Sequence, residues 1–481
     1  MLDRPFYFII VLWGERFRDY FLDLCLSSLL APGNLPSLAT QQRSRLLVCT
    51  RPDDWAAIND SRIFQLVKQY VDPVYLEIPP CPADVDGCVH MGIGHCRALQ
   101  MAYEAQAYPF VLTPDSIFSN GTVARIQELA SQGVELALIP ALRFAEEPLF
   151  ENLKKVGIFP RGRNGAPEPI SLDSRKLVGM ALASMHSETM TYEWDASYFH
   201  STPSATWWRV PDEDGIVVHS LSWAVALLDF AAVPKHDTST FDHWTFDGDY
   251  VHKNLGNIKR VHLVLDSDEM FIASWAPLSD KPYDLTPQPL LKKRFVGNIV
   301  RKARFKSWFH SGVFDPLKQE IFFKPAQWHS RPLNERWTAI ETRALTTLLS
   351  CVAPPSGTKN VLDAVAKNNQ LGISKSDSSQ LRFRALQLWL RLRLRGFRLC
   401  VELTNQGSRL LSAVLIPPTR FLRLFHLAWI YRTKIWRRMR QVLQGDRLAR
   451  RRAIWRFRQV AYQMIGRPFR EPEPNSQNST H

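Results

Sequence analysis

The chain of 481 residues is short of several things. It holds only seven cysteines, an odd number and few for the length. That excludes a disulfide framework and points to a reducing, cytoplasmic setting. No run reaches about 18 apolar residues without a charge, so no membrane-spanning helix is expected. The apolar run Phe6–Trp13 is too brief to span a bilayer. Gly14-Glu15-Arg16 follows it instead of a small-residue cleavage site, so a buried strand is expected there rather than a signal peptide. No internal repeat of about 20–50 residues is present, which excludes solenoids and propellers. Acids are scarce near the end. From Leu381 to Arg470, 22 Lys and Arg face only Glu402 and Asp446. A local charge of +20 within a total of +14 leaves the rest of the chain at −6. The composition is otherwise that of a globular protein, with 45% hydrophobic and 22% charged residues. It excludes a disordered or collagen-like chain and leaves room for two to four domains.

The first 140 residues alternate two hydrophobic periods. Continuous apolar runs at Phe6–Leu12, Arg45–Thr50, Val74–Ile78, Tyr108–Leu112 and Val134–Pro140 have strand length. Between them, Arg18–Leu30, the segment opened by Pro52-Asp53-Asp54, Gly94–Gln106 and Thr122–Gln132 carry the 3.6-residue period of helices. Strand and helix in alternation predict an α/β fold with a mostly parallel sheet flanked by helices. From Phe144 to Pro282 the pattern is irregular and rich in Trp, His and Asp, with strand-like runs at Ile216–His219 and Arg260–Leu265. Three prolines in Pro282–Pro289 read as a linker. The expected organisation is a catalytic domain over 1–281, a linker and helical region over 282–380, basic amphipathic helices over 381–470 and a disordered tail over 471–481.

In an open parallel sheet the ligand sits beyond the carboxyl ends of the strands. That rule selects Gly14 and Glu15 after the first strand, Thr50 after the second, and Thr113 and Asp115 after the fourth. Asp115 has two readings: a hard oxygen ligand for Mg²⁺ or Mn²⁺ against a diphosphate, or the cap of a turn. Later carboxylates keep the same double reading. Asp247-Gly248-Asp249 is either a pair that meets one ion or a turn. Asp266-Ser267-Asp268-Glu269 is either a site at a strand end or a helix cap. Cys81, Cys88, His90, His95 and Cys96 cluster locally, but their spacing fits no standard zinc pattern. His95, taken at a helix start near the strand ends, is expected to touch nucleotide or acceptor.

The order of these pieces resembles the A-type glycosyltransferase fold of the nucleotide-diphospho-sugar transferases. It does so closely over Met1–Leu142 and loosely over Phe144–Leu278. In that family a strand opens the domain, and a helix leads into a strand ending in Asp-x-Asp. Here Tyr7–Leu12 corresponds to the opening strand, the helix from His95 leads into Phe110–Leu112, and Asp115 falls at the motif. Thr113 and Ile117 stand two residues to either side of it, so the second acid lies elsewhere. The resemblance implies a nucleotide-sugar donor and a Mn²⁺ or Mg²⁺ ion held by Asp115, with Asp249 or a late histidine such as His219 as further ligands. It also implies a carboxylate base, for which Asp195, Asp247 and Asp249 are the candidates.

The basic region repeats Arg with Leu, Trp and Phe, as in Trp389-Leu390-Arg391-Leu392-Arg393. Basic helices with such an apolar side suit an anionic membrane surface. Nucleic acid and simple packing on the body are the alternatives, and the apolar content disfavours nucleic acid. The expected function is transfer of a sugar to a glycan or lipid-linked acceptor at the cytoplasmic face of a membrane, with the protein held there peripherally. The alternative is a non-catalytic scaffold that binds membrane through its basic helices.

Overall fold

The structure, a computed structural model, describes residues 2–159, 166–242, 245–246, 248–255, 260–280, 282–310 and 316–352. Asp247, the side chain of Asp249, the basic helices expected over 381–470 and the tail expected over 471–481 lie outside the described residues.

Four strands, β1 (Phe6–Val11), β2 (Arg45–Thr50), β3 (Asp72–Glu77) and β4 (Tyr108–Leu112), form a parallel sheet in the order β3-β2-β1-β4. Every residue of β1 is buried. This fits a strand covered on both faces and explains its unbroken apolar sequence. Ile9 lies opposite Leu47 on one side and Val111 on the other. Helices cover both faces. On one side the stretch from Glu15 to Leu29 buries Phe21, Leu22, Cys25 and Leu26. Residues 21–26 of it form π-helical turns. On the other side Gly87–Glu104 buries Ala98, Leu99 and Ala102 against Ile9, Val11 and Cys49.

Next to β4 lies β10 (Trp223–Leu228). It pairs antiparallel with β6 (Leu136–Pro140), which pairs in parallel with β11 (Val261–Leu263). A short sheet follows, in which β12 (Ile272–Ala276) runs antiparallel to β5 (Ser116–Phe118) and parallel to β7 (Arg143–Ala145). A third unit joins β8 (Ala205–Val210), β9 (Gly215–Ser220) and β13 (Ala326–His329), all antiparallel. The chain is thus mixed α/β with a central parallel sheet flanked by helices. Among the described residues no helix is long and apolar enough to cross a membrane.

Two local features differ from the sequence reading. The helix expected from Gly94 starts at Gly87, where the Asp86 carboxylate accepts the Cys88 N–H at 2.9 Å. Gly94 is therefore not a boundary but a point of close approach. A Cβ there would lie 2.7 Å from a Val11 methyl and 2.9 Å from the Cys49 Cβ. Gly→Ala in a helix ordinarily gains up to about 1 kcal/mol, but here overpacking against two strands outweighs it. Gly94→Ala is expected to destabilise by about 1–3 kcal/mol, read as a lower urea midpoint with unchanged slope. The second feature is β13, which lies inside a region read as weakly helical. It is only four residues long, between Pro325 and Pro332, too brief for a period to register.

The prolines of 282–289 do not separate the described residues on either side. Phe305, Phe309, Phe322 and Trp337 share a core with Trp194, Phe199 and Trp208.

Candidate functional site

The carboxyl ends of β1 and β4 open into a crevice. Gly14 turns the chain there with φ 84°, in the left-handed region that glycine favours. Its N–H donates to Asp54 Oδ2 at 2.9 Å. Buried Asp54 also accepts Nε and Nη2 of Arg51, each at 3.1 Å. This fixes the loop so that Glu15 faces solvent and Arg16 enters the crevice. A cavity of about 300 Å³ lies beside it, with Arg16, Asp19, Tyr20, Asp23, Glu146 and Phe150 in its wall. Arg16 Nε donates to the Tyr20 hydroxyl at 2.9 Å, and that hydroxyl donates to Glu146. Burial and then the Glu146 hydrogen bond push the Tyr20 phenol up to about 12, so it remains a donor.

Asp115 lies just beyond the carboxyl end of β4. Its backbone carbonyl accepts the Trp275 N–H at 3.1 Å, and the Trp275 ring packs edge-on against Tyr20 at 5.5 Å. Burial raises the pKa of the Asp115 carboxyl. The positive charges of Arg143 and Arg16 and a hydrogen bond with Thr113 oppose that rise without cancelling it. Thr50, at the end of β2, is buried with its hydroxyl unpartnered. Gly14, Glu15, Thr113 and Asp115 thus stand at strand ends as the topology rule requires. Arg16, Tyr20 and Glu146 line the cavity nearby, and the charge of Arg143 reaches Asp115. Of these, only Arg16 stood beside a residue singled out by the sequence.

The other candidates lie elsewhere. His95 is in the third turn of its helix rather than at the start. It is wholly buried, 6.2 Å from the Phe241 ring, with neither ring nitrogen hydrogen-bonded. Burial drives its pKa down to about 4. His219 in β9 donates from Nδ1 to the Phe322 carbonyl at 2.9 Å, and its Nε2 has no partner. Burial lowers it to about 4 as well. Asp195 is exposed and paired with Arg343 at 2.8 Å.

Among the described residues, one group of three possible metal ligands brings its donor atoms within 4.8 Å of one another: Asp266, Asp268 and His329. His329 is buried, Asp266 half-buried and Asp268 exposed. The chain is zippered there. Gln327 N–H donates to Leu265 O at 2.7 Å, Ser267 N–H to Gln327 O at 2.9 Å, and His329 N–H to Ser267 Oγ at 3.1 Å. His329 Nδ1–H donates to Arg331 O at 2.6 Å, which turns Nε2 toward Asp266 Oδ1 at 2.9 Å. A backbone carbonyl on one ring nitrogen is the usual way to orient a ligand histidine. Two carboxylates and an imidazole could hold a divalent cation such as Mn²⁺. Arg175 grips Asp268 at 2.6 Å and would have to yield.

Asp266 and Asp268 were legible as an acidic cluster at a strand end. His329, 61 residues beyond Asp268, was not. The signal available was a four-residue strand ending in histidine between two prolines.

This group and Asp115 occupy opposite ends of β12. Asp268 precedes Ile272, the first residue of that strand, whereas Asp115 sits beside Trp275. The strand between them covers about 10 Å.

The candidate site therefore lies at strand ends of a mixed α/β protein with a central parallel sheet flanked by helices, and the Asp-Asp-His group is separate from it. No protein-family model matches the chain, and no curated protein matches it.

Proposed function

We propose that the protein is a glycosyltransferase that takes a sugar from a nucleotide-sugar donor to a glycan or lipid-linked acceptor at the cytoplasmic face of a membrane. The observation that carries this reading is the half-buried Asp115 just past the end of β4, with Arg143 and Arg16 in electrostatic range and a cavity of about 300 Å³ alongside Arg16. Departure of a nucleoside diphosphate builds negative charge, and cations placed near the strand ends stabilise it. Arg16 and Arg143 supply that charge. Asp115 offers an acceptor for a donor hydroxyl. Glu146, held by Tyr20 and Arg16, is one of three carboxylates in the cavity wall, with Asp19 and Asp23, and takes the role of base.

The crevice residues do not fit a resident divalent ion. Asp115 belongs to no group of three ligands among the described residues, and two arginines flank it. No step is therefore routed through metal there. Mn²⁺ or Mg²⁺ belongs instead with Asp266, Asp268 and His329. That separation favours one second reading, a non-catalytic scaffold of the same fold.

The test is thermal unfolding of the full chain with UDP, GDP, CDP and TDP, with and without Mn²⁺, for wild type, Asp115→Asn and Arg143→Met. One nucleotide is expected to stabilise wild type over and above any effect of Mn²⁺ alone. A nucleotide at about 100 times its Kd contributes about 2.7 kcal/mol. Both variants are expected to lose that increment. Absence of a shift with all four nucleotides in folded wild type would leave the scaffold reading standing.

A further inference from the structure

We propose that the helix Arg294–Phe309 and the short turn before it form a second, independent contact for an anionic lipid surface, built into the body of the protein. The inference does not rest on the transferase reading. From Leu285 to Phe314 the chain has no acid and seven Lys or Arg. The helix is two-faced. Gly297, Arg301, Phe305 and Phe309 are buried. Arg301 anchors that face by donating to the carbonyls of Asp195, Ala196 and Leu291 at 2.8–3.2 Å. A neighbouring stripe runs Phe295, Ile299, Lys302, Lys306 at steps of four, three and four residues, the spacing of one helical face.

Phe295 is 78% exposed, Ile299 53% and the neighbouring Leu290 58%, the three largest exposures among the large hydrophobic side chains described. Lys292, Lys293, Arg294, Lys302 and Lys306 surround them, and none of the five is paired with a carboxylate among the described residues.

Charge complementarity selects the occupant. A ring of cations around protruding Phe, Ile and Leu side chains matches an anionic headgroup layer over acyl chains, with lysines reaching the headgroups and apolar tips below them. Residues 381–470 of the same chain carry +20, the wrong sign for this face. Nucleic acid would meet the cations but leave Phe295, Ile299 and Leu290 with no apolar partner. The buried Arg301 face makes the patch rigid, so docking orders little beyond the lysine side chains.

The experiment uses the full chain. Cosedimentation is measured with vesicles of phosphatidylcholine, with and without phosphatidylglycerol. In parallel, p-benzoylphenylalanine replaces Phe295 for photocrosslinking. Binding is expected only with phosphatidylglycerol, with crosslinks from position 295 to lipid. Leu290→Ser with Phe295→Ser and Ile299→Ser is expected to weaken partition about tenfold or more, with thermal unfolding unchanged because all three side chains are exposed. Vesicle-bound protein that gives no lipid crosslink at 295 overturns the proposal. So does a crosslink to residues 381–470, or an RNA oligonucleotide that captures position 295 in preference to lipid.

Discussion

Acidification from pH 6.5 to pH 4 is expected to remove on the order of 6 kcal/mol from the stability of the protein, through His95 and His219 alone. Both rings are wholly buried, and burial lowers each to about 4 from the ordinary 6.5. In the unfolded chain each takes a proton as pH falls below about 6.5. In the folded chain neither does until about pH 4. The unfolded state therefore binds more protons across that window, and stability rises with pH through it and is lost as pH falls. Each shift corresponds to about 3 kcal/mol.

The two histidines separate on substitution. His95 makes no hydrogen bond, so His95→Met should be close to neutral at pH 7 and should remove about half of the pH slope. His219 supplies a donor to the Phe322 carbonyl, so His219→Phe should cost about 1–3 kcal/mol at pH 7 while flattening the slope equally. Urea unfolding at pH 7 and pH 4.5 on wild type, the two single variants and the double variant checks this. A slope that survives in the double variant would show that the acid sensitivity lies elsewhere.

Mn²⁺ is expected to stabilise the protein by about 3 kcal/mol at 100 times its Kd near pH 8, and by far less near pH 5.5. The sign follows from His329. Burial works against its charged form, but the hydrogen bond to Asp266, the Arg331 carbonyl and the charges of Asp268 and Asp266 outweigh it and raise its pKa above 6.5. Without metal, that proton contributes stability in full below about pH 6.5, and the contribution is lost as pH rises through the raised value. A cation needs the same Nε2 lone pair, so it replaces the proton on the alkaline side and competes with it on the acid side. The proton pairs with Asp266, whose own carboxyl is held below its ordinary range first of all by His329. His329→Gln should abolish the Mn²⁺ increment and the alkaline decline together. Arg175→Gln should strengthen Mn²⁺ binding by freeing Asp268. Differential scanning calorimetry at pH 5.5 and pH 8, with and without Mn²⁺, reads all of these. Equal Mn²⁺ stabilisation in wild type and His329→Gln would remove the cation from this group.

How legible these features were depended on the range of the forces behind them. The parallel sheet was readable because β1, β2 and β4 are covered on both faces, and such strands need continuous apolar runs. Gly14, Thr50 and Asp115 were readable because a topology rule places ligands at the ends of those strands. Periodicity carries no information on which sheet a strand joins. His219 ends an apolar run much as Asp115 nearly does, yet its strand belongs to the antiparallel group with β8 and β13. His95 was placed at a helix start because three glycines at 87, 92 and 94 masked the true beginning. Arg143 and Glu146 come to Asp115 through the pairing of β7 with β12, a contact made across more than a hundred residues. His329 reaches Asp266 in the same way.

The pairing of β13 with β9 also sets a timetable. During synthesis β9 is complete at Ser220, but its partner begins at Ala326, more than a hundred residues later. At about 5–20 residues per second, the β9 edge waits roughly 5–20 s for its cover. For that interval Ile216, Val217 and Val218 present an open apolar edge to the cell. Trp337, which closes over Gly215, arrives later still. A ribosome paused between codons 221 and 326 would lengthen that exposure.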